Sequence, residues 1–224
     1  GTSSMASSPE KSSGSREREK REDSLSNNLE IYGVGPCAID TLNSIWSDVK
    51  VKNLLYGIPD EGEFENDVTA STDKIVFAIV GSIYDVKAQD IFLKAIEALP
   101  VKFRMQAEFW IVGRSLNASM LKEIQEAVDK HTDIKYLGEL TREEMKEIYK
   151  TIDVLVCPSR RDTMPVVTME AMMNCKPCIV SNVTGTAYYI KDGVNGYVCE
   201  ANNVEKLSEK IEQAIREKST LKEM

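Results

Sequence analysis

The 224-residue chain is 42% hydrophobic and 29% charged with a formal net charge of -8 at pH 7, which places it with soluble globular proteins and argues against a nucleic-acid partner, whose binding normally needs a basic stripe. No apolar run approaches the ~20 residues of a membrane span and no signal peptide is visible, so no transmembrane segment is expected and the cytoplasm is the default compartment. Five cysteines, at 37, 157, 175, 178 and 199, have no metal-ligand spacing beyond Cys175-Lys-Pro-Cys178, which is read as structural rather than redox-active; all five are expected as reduced thiols.

Residues 1–30 are rich in Ser, Glu, Lys and Arg and nearly devoid of apolar side chains, so they are expected to be a disordered tail. Gly1 to Met5 looks like an expression scar. A helix is expected over Ile39 to Trp46, a strand over Val49 to Tyr56, a turn at Gly57 to Asp60 and polar loop over 61–73. Residues 31–73 thus read as the end of a preceding domain and a crossover, and 74–224 as one α/β domain.

That domain opens with Ile75 to Val80, apolar throughout as in a strand buried on both faces, and ending at Gly81. Helix (Lys87 to Leu99), strand (Glu108 to Val112), helix (Met120 to Val128) and strand (Ile134 to Leu137) follow. Thr141-Arg-Glu-Glu144 is a capping-box sequence for a helix to Tyr149. Then come strands at Val154 to Cys157 and Cys178 to Val180 with one helix between them, a helical turn near Ala187 to Ile190, a strand at Gly196 to Cys199, and a last helix from Asn203 to about Glu217. Repeated βα units of this spacing imply a parallel sheet of about six strands with helices on both faces.

The stretch Val154 to Ser181 organises the rest. Pro165 suits a first helical position, and Asp162 or Thr163 can cap that turn. A helix opening at the carboxyl end of a buried strand aims free N–H groups and the positive end of its dipole into the crevice above the sheet, an anion site. Glu170 lies eight residues beyond Asp162, so the carboxylates stand up to ~12 Å apart along this element. A long ligand with an anionic middle, such as a nucleotide sugar, can touch both. Glu170 also interrupts an apolar run, Val166 to Met173, where an unpartnered charge is costly to bury. Lys87, at an expected helix start where a cation is disfavoured, offers an ammonium to a diphosphate. His131, the single histidine, reads as a surface or dipole-compensating residue.

Pro158-Ser159, the acid at 162, Glu170-Ala171-Met172 and Lys176-Pro177 resemble the E-x7-E signature of family 4 (group 1) glycosyltransferases, retaining enzymes of the GT-B fold. Lys74 to Gly81 with Lys87, Ile111-Val112-Gly113, Tyr136-Leu137-Gly138 and Lys191 to Gly196 extend the likeness over roughly residues 49 to 217. The resemblance implies the C-terminal, Rossmann-like, donor-binding half of a bacterial-type enzyme that makes a polysaccharide or glycoconjugate. It implies donor contacts from Gly81, Ser82, Lys87, Gly113, Arg114, Leu140, Asp162, Thr163, Met164, Pro165, Val166 and Glu170, with Asp162 and Lys87 at the reacting centre and Glu170 on the ribose. No metal and no cofactor are implied; the substrate is a UDP-, GDP- or dTDP-sugar. A glycan or lipid-linked acceptor would be held by an N-terminal domain missing here, at the inner membrane face in the full-length protein, and the fragment alone should bind donor but hardly turn over.

Three positions depart from the pattern. Ser82 stands where the family usually has a phosphate-binding arginine, which leaves Arg114, Arg160 or Arg161 to substitute. Asp162 is one methylene shorter than the usual glutamate, and Tyr188 stands where glutamate is frequent. They leave open two other readings: a sugar-nucleotide epimerase on the same fold, and a degenerate binding or scaffold domain.

Overall fold

The computed structural model describes residues 31–34, 36–45, 51–53, 74–221 and 224. The expected tail at 1–30, turn at 57–60 and loop at 61–73 lie outside them. The chain enters through β1 (Ile31–Gly33), α1 (Pro36–Ile45) and β2 (Val51–Asn53); β1 and β2 pair in parallel as a separate two-stranded sheet. The helix starts earlier than the apolar pattern indicated because Pro36 takes its first position, where a missing N–H costs nothing. β1 was not anticipated.

From residue 75 the elements alternate: β3 (Ile75–Val80), α2 (Gln89–Ala98), the short α3 (Val101–Arg104), β4 (Ala107–Val112), α4 (Ala118–Lys130), β5 (Ile134–Gly138), α5 (Arg142–Thr151), β6 (Val154–Cys157), α6 (Val166–Met173), β7 (Cys178–Ser181), β8 (Gly196–Cys199) and α7 (Val204–Arg216). Asn117 and Asn203 cap α4 and α7 by accepting the amides of Met120 and Lys206, and the Thr141–Glu144 capping box forms with both of its bonds. All six strands of the main sheet run parallel in the order β5-β4-β3-β6-β7-β8.

Alternate residues of each central strand feed two cores. Phe77, Ile79, Phe109, Ile111, Val154, Val156 and Ile179 pack against α2, α4 and α7; Val76, Ala78, Leu155, Cys157, Cys178 and Val180 pack against Ile148, Tyr149 and Ala171 of α5 and α6. Both faces of the sheet are therefore covered by helices, as the apolar strands required. Each fully buried Ile, Leu, Val or Phe contributes about 1.5–3 kcal/mol from burial.

Cys157, Cys178 and Cys199 are buried free thiols, and Cys175 is exposed and also unbridged. Burial pushes the thiol of Cys199 up to about 12 and raises those of Cys157 and Cys178 as well. Cys175 sits at φ 53, the left-handed conformation that ends α6 and that glycine most often takes, which fits a structural rather than a redox role.

Candidate functional site

Because β4 and β5 extend to one side of β3 while β6, β7 and β8 extend to the other, the connections leaving β3 and β6 diverge and open a crevice at the carboxyl ends of these neighbours. The loop after β3 is held against the one after β4: Gly81 donates to the Val112 carbonyl (2.9 Å), Ile83 to Arg114 (2.8 Å) and Leu116 back to Ile83 (3.0 Å). Gly113, at φ 143, permits this approach, since a Cβ there would stand 2.0 Å from the Gly81 oxygen. Ser82 contributes its carbonyl to the Gln89 side-chain amide (3.1 Å), so its backbone is pinned from below by a residue only 1% exposed.

Lys87 does not open the helix, contrary to expectation. It ends a separate 3₁₀ turn, Asp85–Lys87, which is cut off from α2 by Ala88 in the left-handed conformation. The turn aims the Lys87 ammonium at Asp162, with Nζ 2.6 Å from Oδ2 and the side chains 21% and 16% exposed. Burial lowers the affinity of this amine for its proton, but the hydrogen bond and charge of Asp162 outweigh it and raise the Lys87 pKa overall.

Arg160 is not available as a substitute phosphate cation. Its guanidinium takes both oxygens of Asp90 (3.0 and 2.8 Å) and the Asp85 carbonyl, while its amide donates to Val86 (2.8 Å). It thus ties the turn carrying Lys87 to the loop after β6. Desolvation raises the Asp90 pKa, and the Arg160 hydrogen bonds and charge more than reverse this, holding the carboxyl below its usual range. Arg114 and Arg161 are exposed, with no ion pair among the described residues.

The start of α6 also differs from expectation. Pro165 is the N-cap residue rather than the first helical one, and no side chain caps the turn. Asp162 does not cap it: its Oδ2 accepts the Lys87 ammonium, and its carbonyl accepts the Gly185 amide (2.9 Å). Of the first-turn amides of α6, that of Thr168 donates to the Pro165 carbonyl (3.2 Å), while those of Val166 and Val167 have no carbonyl one turn back to bond. Val166 is 40% exposed, whereas Met164 is 5% exposed and Pro165 is buried, so neither Met164 nor Pro165 has a side chain at the surface. Thr163 presses its carbonyl on Gly185, where a Cβ would stand 1.7 Å away.

Beneath this loop runs a set of buried hydroxyls that sequence reasoning missed. Ser181 donates to the Ser159 carbonyl (2.6 Å), Thr184 to the Ser181 carbonyl (2.9 Å) and Thr168 to the Pro165 carbonyl (2.8 Å), with Thr186 lying 3.3 Å from the Thr168 hydroxyl. Ser181 gives the Ser159 carbonyl a side-chain partner, and the Thr184 and Thr168 hydroxyls add second bonds to the Ser181 and Pro165 carbonyls, which already accept the amides of the same two threonines. The available signal was a run of Ser and Thr at strand and helix ends, a pattern common in turns.

Glu170, one turn further along α6, accepts the Tyr149 hydroxyl at 2.7 Å through Oε2. Burial raises the pKa of this phenol strongly, and the Glu170 hydrogen bond and charge add to the effect, so Tyr149 remains the donor. Leu140, which follows the edge strand β5, packs on the same apolar cluster as Tyr149 and Val167. Sequence reasoning named Tyr149 only as the end of α5; the signal that could have found it is that a buried phenol needs a partner for its hydroxyl.

The fold and site define a doubly wound α/β domain with an ion-paired lysine, an uncapped helix start and a carboxylate gathered at its strand switch point. The family model "Glycosyl transferases group 1" matches residues 60–224, and the chain belongs to this family. An uncharacterized glycosyltransferase of Methanocaldococcus jannaschii is 30% identical over 138 residues, covering 61% of this chain and 37% of the relative. The D-inositol 3-phosphate glycosyltransferase of Mycolicibacterium smegmatis is 26% identical over 145 residues, or 64% of this chain and 33% of that protein. Among solved structures, Anabaena HepE in complex with UDP superposes with a TM-score of 0.71 at 17% identity, over 86% of this chain and 56% of that one, a likeness of fold. The chain thus spans about a third of the length of these two curated relatives. No helix among the described residues is long and apolar enough to cross a membrane.

Proposed function

We propose that this chain is the donor-binding half of a retaining, metal-independent, family 4 type glycosyltransferase that transfers a sugar from a nucleotide diphosphate to a glycan or lipid-linked acceptor. The carrying observation is the meeting of Lys87 and Asp162 across the switch point, beside the uncapped start of α6 and with Glu170 one turn beyond. A diphosphate has its complement there in the Lys87 ammonium and the amides of Val166 and its neighbours. The backbone around Gly81, Ser82, Gly113 and Thr163 gives it room to approach, with Arg114 and Arg161 at the rim. Glu170 receives the ribose, and Leu140 borders the base.

Lys87 and the helix dipole stabilise negative charge as it grows on the departing nucleotide, which is the role a metal would otherwise fill. Asp162 steadies Lys87 before the donor arrives and faces the transferred sugar when Lys87 turns to the phosphates. The HepE complex with UDP supports a uridine nucleotide as the first probe.

Calorimetric titration of the chain with UDP, GDP, dTDP and ADP tests this reading. One nucleotide should bind saturably, with affinity falling at least tenfold in Lys87→Ala and Glu170→Ala. Silence with all four would leave a scaffold domain as the better account.

A further inference from the structure

We propose that the Asp90–Arg160 pair positions Lys87 and acts on ligand binding only through that lysine. This inference rests on the donor-site reading above. The guanidinium gives Nη1 and Nη2 to the two Asp90 oxygens, at 3.0 and 2.8 Å, and Nη1 also meets the Asp85 carbonyl. A two-pronged, charge-assisted pair of this kind is strong and directional. The Arg160 and Asp90 side chains are only 22% and 15% exposed, so solvent screens them little.

These contacts converge on the two peptides that lead into Lys87. Arg160 holds the Asp85 carbonyl with its side chain and the Val86 carbonyl with its main-chain amide (2.8 Å). The Val86–Lys87 peptide is bonded at its other end too, where the Lys87 amide donates to the Tyr84 carbonyl (3.0 Å). A planar peptide held at both ends cannot turn, so the Lys87 side chain leaves the backbone in one direction. The loop that carries Arg160 is itself anchored, since the Ser181 hydroxyl donates to the neighbouring Ser159 carbonyl (2.6 Å).

Asp162, two residues beyond Arg160, takes the ammonium of the same lysine. One loop thus sets both ends of Lys87, Arg160 its backbone and Asp162 its charge. A ligand phosphate can replace Asp162 at the ammonium, whereas Asp90 lies outside that exchange. The lysine therefore stays aimed while it changes partner, which spares the ligand part of the cost of ordering it.

Whichever of UDP, GDP, dTDP and ADP binds tightest is titrated calorimetrically into the unaltered 224-residue chain, Arg160→Lys, Asp90→Asn, Lys87→Ala and the Arg160→Lys/Lys87→Ala double variant, each below its own melting temperature. Arg160→Lys and Asp90→Asn should each weaken binding about three- to tenfold, a coupling usual within one network. In the Lys87→Ala background, Arg160→Lys should change affinity by less than about twofold. Unchanged or tighter binding in either single variant overturns the inference; for Asp90→Asn it is what a direct phosphate contact by a freed guanidinium would give. An undiminished effect of Arg160→Lys in the Lys87→Ala background overturns it as well, because the loop would then reach the ligand by another route. In these cases the donor site stands. If Lys87→Ala binds as the unaltered chain does, the inference falls with the role of Lys87, and if no nucleotide binds, it falls with the whole donor site.

Discussion

Lys87 and Asp162, 75 positions apart in sequence, close an ion pair of 2.6 Å between loops that leave neighbouring strands in the middle of the sheet. The pair joins the two loops that wall the crevice and neutralises the Lys87 cation; in the proposed function a diphosphate entering here would exchange one carboxylate partner for its own oxygens.

That exchange has a measurable cost. With both side chains mostly covered, Asp162→Asn should destabilise the chain by about 1–3 kcal/mol at neutral pH, between the values for exposed and buried pairs. The raised Lys87 pKa adds a pH signature. Its stabilisation is complete below the unfolded value near ~10.4 and is lost as pH rises through the higher folded value. Thermal melts between pH 9 and pH 12 should show a steeper alkaline loss for the unaltered protein than for Asp162→Asn; parallel curves would exclude this linkage.

Arg160 grips Asp90 with two nitrogens, a geometry lysine cannot reproduce. Arg160→Lys should cost about 1–2 kcal/mol in urea unfolding at pH 6. The depressed Asp90 pKa contributes stability above the unfolded value near ~3.9 and loses it as pH falls through the lower folded value. The difference between Arg160→Lys and the unaltered protein should therefore shrink toward pH 3, and a gap that stays constant would contradict it.

Gly185 is required by space. Its Cβ would lie 1.7 Å from the Thr163 carbonyl, and the same contact carries the Gly185 amide to Asp162. Gly185→Ala should push away the loop holding Asp162 and Thr163, lowering stability by about 1–3 kcal/mol through overpacking and weakening nucleotide binding more than a surface substitution does. Unchanged melting and unchanged titration would show that the loop shifts freely.

Among the described residues three non-glycines sit in the left-handed region, Ala88 at φ 60, Cys175 at φ 53 and Asn202 at φ 58. Left-handed backbone costs an L-residue roughly 1–2 kcal/mol, part of which glycine gives back through a freer unfolded chain. Ala88→Gly is complicated by the burial of its methyl. Cys175→Gly, at an exposed position, should raise stability by about 0.5–1 kcal/mol, and a fall in melting temperature would argue that the thiol makes a compensating contact.

Much of this fold was legible from residue order. Ile75–Val80, Val154–Cys157 and Gly196–Cys199 form strands at the positions expected, because continuous apolar runs between turn residues have few other ways to bury both faces. The Thr141 capping box and the Asn203 start of α7 are equally local, since donor and acceptor lie within one helical turn. The motifs from Lys74 to Gly196, taken as a set, resembled group 1 glycosyltransferases, and the family match over residues 60–224 agrees.

What required the tertiary structure is the partner of each charged or polar group. Asp162 read as a cap with a nearby amide, but a lysine brought up by the left-handed break at Ala88 competes for it more strongly, because a charge-assisted bond in a half-buried site outweighs one to a neutral amide. Arg160 read as a candidate phosphate cation and proved to be the strut between two loops, and Tyr149, read only as the end of a helix, proved to hold Glu170. Periodicity specifies which face of an element is buried, so the sequence by itself determined most strands and helices, while the family came from the resemblance of its motifs. Which carboxylate meets which cation depends on loops that the sheet order brings together from residues 75 and 70 apart, and only the folded chain decided that.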